Sequence, residues 1–142
     1  TSQKAFPFTY GWHPYFYSED LSKSLLQFKS NKKVLFDDRM ITTEIINTTT
    51  DEVFSIENKV LDDCFRLNSN TIQFITPSYN LEIVSTTENG FLQVYTPPTK
   101  NHIAVEPVSG ISDSFNNKIG LKKLEPGKTY HTIWELQLIN HQ

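Results

Sequence analysis

Cysteine, methionine and glycine are scarce: one, one and five residues in a chain of 142. A lone cysteine, Cys64, rules out an internal disulfide framework and suits a reducing compartment, so a cytoplasmic location is expected. No apolar run is long enough to span a bilayer as a helix. Charge of one sign never accumulates, and the net charge is only -3, so nucleic acid and anionic membrane are poor partners. Neither a phosphate-cradling glycine loop nor a nucleophile elbow occurs. The histidines His13, His102, His131 and His141 lack tight ligand spacing, and Cys64 has no cysteine partner, so no metal is expected. One glycosylation triplet, Asn47-Thr48-Thr49, is of a kind common by chance and carries no weight. Helical periodicity is also nearly absent; Ser18-Glu19-Asp20-Leu21 is suited to cap one short turn and nothing sustains it.

Aromatics and two-residue alternation are what the chain has. Ten Phe, six Tyr and two Trp favour sheets over helical bundles. In Val53–Val60, the residues Phe54, Ile56 and Val60 are assigned to one face and Ser55, Glu57 and Lys59 to the other. Short strands are predicted at Ile72–Thr76, Leu81–Ser85 and Phe91–Thr96, with turns at Asn68-Ser69-Asn70, Pro77-Ser78 and Asn89-Gly90. Asn89-Gly90 between two such runs is a hairpin signal. The clearest strand is Tyr130–Ile139, introduced by a turn at Pro126-Gly127. Lys32-Lys33 and Lys122-Lys123 read as solvated faces. The expected fold is a single all-β domain over residues 1–142, an antiparallel β-sandwich.

Three segments combine residue types that do chemistry. In Gly11-Trp12-His13-Pro14-Tyr15-Phe16, Pro14 cannot donate a ladder hydrogen bond, so His13 is expected at a strand end or in a loop. Histidine is the natural proton donor near neutral pH, although a histidine packed among aromatics is the commoner case. In His102-Ile103-Ala104-Val105-Glu106-Pro107, alternation puts Glu106 on the face opposite Ile103 and Val105. A carboxylate desolvated by apolar neighbours has a raised pKa and serves as a base near neutrality; a solvated strand-end glutamate is the commoner case. In Leu61-Asp62-Asp63-Cys64-Phe65, Asp62 and Cys64 fall on one face and Asp63 and Phe65 on the other. Its acids fit either a clamp for a ligand hydroxyl or caps for loop amides. Cys64 reads as a small core residue. Asp113-Ser114-Phe115-Asn116-Asn117 reads as a loop ordered by side-chain-to-backbone hydrogen bonds.

Taken in order, these segments resemble the aldose 1-epimerase (galactose mutarotase-like) family. The resemblance runs through Pro7–Phe16, Leu61–Phe65, Phe91–Pro97, Ile103–Pro107, Asp113–Asn117 and Gly120–Gly127. It implies that His13 is the general acid at the sugar ring oxygen and Glu106 the general base at the anomeric hydroxyl. It implies that Asp62 binds a sugar hydroxyl, while Asp63 stands where the galactose branch often has histidine. Trp12 and Tyr95 are further candidates, as flat apolar surface for a pyranose. The implied ligand is a free aldohexose such as galactose or glucose, with no cofactor. A hexose-6-phosphate epimerase and a non-catalytic carbohydrate-binding β-sandwich are the rival readings.

Family members are about twice this length, and their N-terminal half carries a substrate-binding arginine and a second histidine. The expectation is a C-terminal half whose site is completed by an N-terminal half or by a self-associated copy, because half a sandwich exposes sheet edges and apolar surface.

Overall fold

The computed structural model describes residues 2–48, 53–57 and 59–139. Thr49 of the glycosylation triplet and His141 lie outside them. The long strands β3 (Leu25–Phe36) and β6 (Asp62–Ile75) pair along most of their length. On the other side of β6 run β7 (Asn80–Ser85) and β8 (Phe91–Tyr95), and β8 pairs in turn with β9 (His102–Val108). Farther out on that same side lie β2 (Tyr15–Tyr17), on β9, and β11 (Trp134–Ile139), on β7. Short strands β4 (Thr42–Asn47) and β5 (Val53–Ser55) both pair with β3. Outside this sheet, β1 (Phe6–Phe8) pairs with β10 (Lys122–Leu124). Every pairing is antiparallel. The fold is all-β, as the sequence implies; among the described residues the helical elements are α1 (Ser114–Asn117) and a 3-10 turn at Leu21–Lys23 capped by Asp20.

The sheet rolls around its own core. β8 and β9 separate β2 from β6, yet the Phe16 and Phe74 rings lie 6.1 Å apart. Leu26, Phe74, Ile83, Leu92, Val94, Ile103 and Val105 all face this core and are almost fully buried. The opposite face of the sheet carries a smaller cluster, Val34, Cys64, Phe91 and Ile111. The segment after β9 folds back over it, packing Ile111 and Ile119 there. That return depends on Gly120, whose φ is 72° and where a Cβ would lie 2.1 Å from the Ser109 backbone oxygen.

Several sequence expectations need correction. Asn89-Gly90 does not make a hairpin: β7 and β8 both run along β6, so the loop between them is a break in one line of strand. Asn68-Ser69-Asn70 lies inside β6 and is a bulged stretch, with the register against β3 shifting at this level. The real hairpin turn is Thr76–Tyr79, where the Thr76 hydroxyl accepts from Tyr79 N and donates to Tyr79 O. Alternation over Val53–Val60 fails after Ile56, because Glu57 takes a φ of 49° and turns the chain; Val60 is 93% exposed. The last strand begins only at Trp134. Lys33 is not a simple solvated residue, since it pairs with Asp63 and lies over the Phe65 ring.

Candidate active site

Strand register gathers the polar residues of interest. Glu106 is opposite Gln93, Gln93 is opposite Cys64, and Asp62 is opposite Tyr95. Paired residues share a face, so Asp62, Cys64, Gln93, Tyr95 and Glu106 lie on the side away from the main core. Glu106 is two residues from the end of β9, and Pro107 continues the strand because its carbonyl accepts from Trp12 N. His13 belongs to no strand. It follows Gly11, which bridges to Val108, and precedes Pro14, whose carbonyl accepts from Val105 N. This irregular run along the edge of β9 sets the imidazole over Glu106.

His13 Nε2 lies 3.1 Å from Glu106 Oε1. The two side chains are unequal: 54% of His13 is exposed but only 10% of Glu106. Burial raises the Glu106 pKa above the ordinary carboxylate value; His13 opposes the shift and the Asp62 charge adds to it. Asp62 accepts a 2.6 Å hydrogen bond from Gln93 Nε2. Beneath them Cys64 is buried, and burial, with the Glu106, Asp63 and Asp62 charges, pushes its thiol up to about 12. It packs as a neutral core residue. The His13 and Tyr15 rings are 5.0 Å apart, which extends the aromatic surface beside the pair.

Not every candidate joins this group. Asp63 points to the opposite face, where Lys33 Nζ lies 2.5 Å from its carboxylate. Trp12 turns inward, half-buried against the main core, with its ring 6.2 Å from that of Trp134. Tyr95 shares the Asp62 side and lines a cavity of about 610 Å³ with His102 and Pro97. Neither His13 nor Glu106 lines that cavity. Gln93 was missed as a site residue. The signal for it was there: in Phe91–Tyr95 alternation leaves Gln93 as the polar residue between Phe91 and Tyr95 on one face. Among the described residues, no group of three or more histidines, cysteines and acids is placed to hold a metal ion.

An all-β fold of antiparallel strands rolled around one main core is shared with galactose mutarotase-like proteins. The model of the aldose 1-epimerase family matches residues 1–137, and the chain belongs to that family. Among solved structures, a galactose mutarotase-like protein from Clostridium acetobutylicum is similar, with TM-score 0.84 and 19% identity, over 99% of this chain and 50% of that one. The Slr1438 protein of Synechocystis sp. gives TM-score 0.78 and 22% identity, over 95% of this chain and 46% of that one. An aldose epimerase homologue from C. elegans gives 0.71 and 16%, over 94% and 53%. The chain thus spans about half the length of these relatives. No curated protein sequence matches it significantly.

Proposed function

We propose that this chain supplies the acid–base pair of an aldose 1-epimerase acting on a free aldohexose such as galactose or glucose. The observation that carries the reading is the 3.1 Å contact between His13 and the buried Glu106, with Asp62 on the same side of the sheet. Sugar O1 and O5 share one carbon, C1, so a base and an acid must converge on neighbouring atoms. Glu106, ionised, takes the O1 proton; His13, protonated, gives one to O5; the C1–O5 bond breaks as the C1 carbonyl forms. Rotation about C1–C2 and the reverse transfers close the ring on the other face. On this reading the sugar displaces the exposed imidazole from its contact with the buried carboxylate. Asp62, aligned by Gln93, is a hydroxyl ligand, and Tyr95 lies beside it. On this reading Asp63, paired with Lys33 on the other face, and Trp12, packed against the main core, have structural roles.

The sugar site is completed by the N-terminal half of the same protein or by a second copy. Two features support this: the chain spans half of its relatives, and Leu136 and Leu138 of β11 leave apolar surface exposed. A folded, monodisperse monomer of 16.4 kDa with no tendency to take up a second half would remove that part of the reading.

Polarimetry of freshly dissolved α-galactose or α-glucose tests the activity, with the chain paired to its N-terminal half. His13→Asn and Glu106→Gln are each expected to lower the rate about 10²–10⁴-fold. A wild-type rate no faster than buffer overturns the epimerase reading and leaves a carbohydrate-binding sandwich. Full rate in both variants overturns the roles alone.

A further inference from the structure

Three neighbouring lines of strand lose their regular pairing at one level of the sheet. The β3 register shifts between Phe28 and Ser30 and again between Ser30 and Lys32. Regular pairing of β6 with β7 ends at Thr71, and its pairing with β8 begins at Arg66. Between them, the loop joining β7 to β8 turns at Asn89, with a φ of 52°. Here the sheet opens a cavity of about 420 Å³, lined by Asn31, Lys32, Arg66, Asn68, Asn70 and Asn89.

The asparagines are not needed to satisfy the bulges. Two serines do that in parallel fashion. Ser30 Oγ donates to Lys32 O and accepts from Lys32 N, and Ser69 Oγ does the same with Thr71 O and Thr71 N. Among the described residues, none of the four asparagine side chains has a hydrogen-bond partner, and neither Arg66 nor Lys32 has a carboxylate partner. The adjacent Lys33, by contrast, is neutralised by Asp63. A chain of net charge -3 has therefore placed two unpaired cations and four free amides around one cavity whose lining has no acid.

We infer that this cavity binds an oxyanion, the phosphate group of a small molecule or free phosphate, separately from the sugar site. Arg66 presents a planar fork suited to two oxygens, Lys32 a point charge, and the asparagines neutral donors. On that face Arg66 and Phe91 form one cross-strand row, and Val34, Cys64, Gln93 and Glu106 form the next. The two sites are expected to fill independently.

The test is an amide and guanidinium NMR titration of the chain at constant ionic strength with inorganic phosphate, with sodium chloride as control. Glycerol 3-phosphate and glycerol form a second pair of arms. Saturable shifts are expected at Arg66 Nε and at the Asn31, Asn68, Asn70 and Asn89 side chains, with Gln93 and His13 unmoved. Inorganic phosphate and glycerol 3-phosphate should both produce them and glycerol should not. The Arg66→Met/Lys32→Met double variant should weaken binding by about tenfold or more. Arg66→Lys keeps one charge and separates the fork from simple electrostatics: it should recover part of the loss. Shifts no larger than chloride gives, equal binding of glycerol, full binding in the double variant, or saturation at His13 instead would each overturn the inference.

Discussion

Strand β9 is buried over five consecutive residues, Ile103–Pro107, whereas β11 exposes four, Glu135–Leu138. In sequence their merits look reversed. β11 has the cleaner alternation, and β9 is a short apolar run ending in Glu-Pro. Alternation only announces that one face wants cover; it does not supply the cover. β9 has chain paired along both edges, the main core on one face and the His13 side chain over Glu106 on the other. Among the described residues β11 has a neighbour on one side only, and its Leu136 and Leu138, on the core-facing side opposite Ile83 and Leu81, are 47% and 71% exposed. The catalytic candidate thus sits on a strand covered on both sides and both faces, and the unfinished surface lies on β11.

The sharpest way to probe that difference is to truncate both strands. Ile103→Ala empties a fully buried position and should cost about 2–5 kcal/mol in denaturant unfolding. Should it cost less than half a kilocalorie, β9 is not the buried element described. Gly120→Ala tests the segment that returns from the end of β9. A strained φ and a clash with the Ser109 carbonyl predict a loss of about 1–3 kcal/mol, together with a broadened Phe91 environment.

Glu106→Gln should act in the opposite direction. Its folded pKa is raised, so the stability associated with the protonated form is present below the ordinary carboxylate value and lost as pH rises through the raised one. The variant should therefore melt at a higher temperature than wild type near pH 8, with the gap closing near pH 4. A lower midpoint near pH 8 would mean that the His13 contact outweighs burial. In the active protein the same shift moves the acid limb of kcat/KM above the usual carboxylate range. Leu138→Ala, finally, should change the stability of the chain by no more than about 0.5 kcal/mol. Its effect should appear instead as weaker association with a second half, readable by sedimentation.

How far the sequence could be read follows from the same contrast. Period two correctly separated Asp62 and Cys64 from Asp63 and Phe65, because a strand without a bulge in that stretch keeps its parity. It failed across Asn68–Asn70, where a bulge inside β6 looks like a turn in composition, and at Asn89-Gly90, where a break between collinear strands looks like a hairpin. Both errors come from long-range pairing with β6, which no local signal reports. The whole of β3 went unread for a related reason: its Lys32-Lys33 looks solvated, whereas the strand is held by pairing with β4 and β6 and Lys33 meets Asp63, distant in sequence. His13 and Glu106 were legible through their flanking prolines and order. Their contact was not, since it depends on an irregular run along the edge of β9.

The length of β6 has a consequence for how the molecule comes together in time. This single strand is the template for β3, β7 and β8. Its pairing with β7 closes only the Thr76–Tyr79 turn, so it loses the least chain entropy and should form earliest. The pairings with β8 and β3 close longer loops and should follow. Substitutions at Ile72 or Ile83 should then slow refolding, whereas those at Val34 or Phe91 should mainly hasten unfolding. Stopped-flow chevrons of the four variants would show the order.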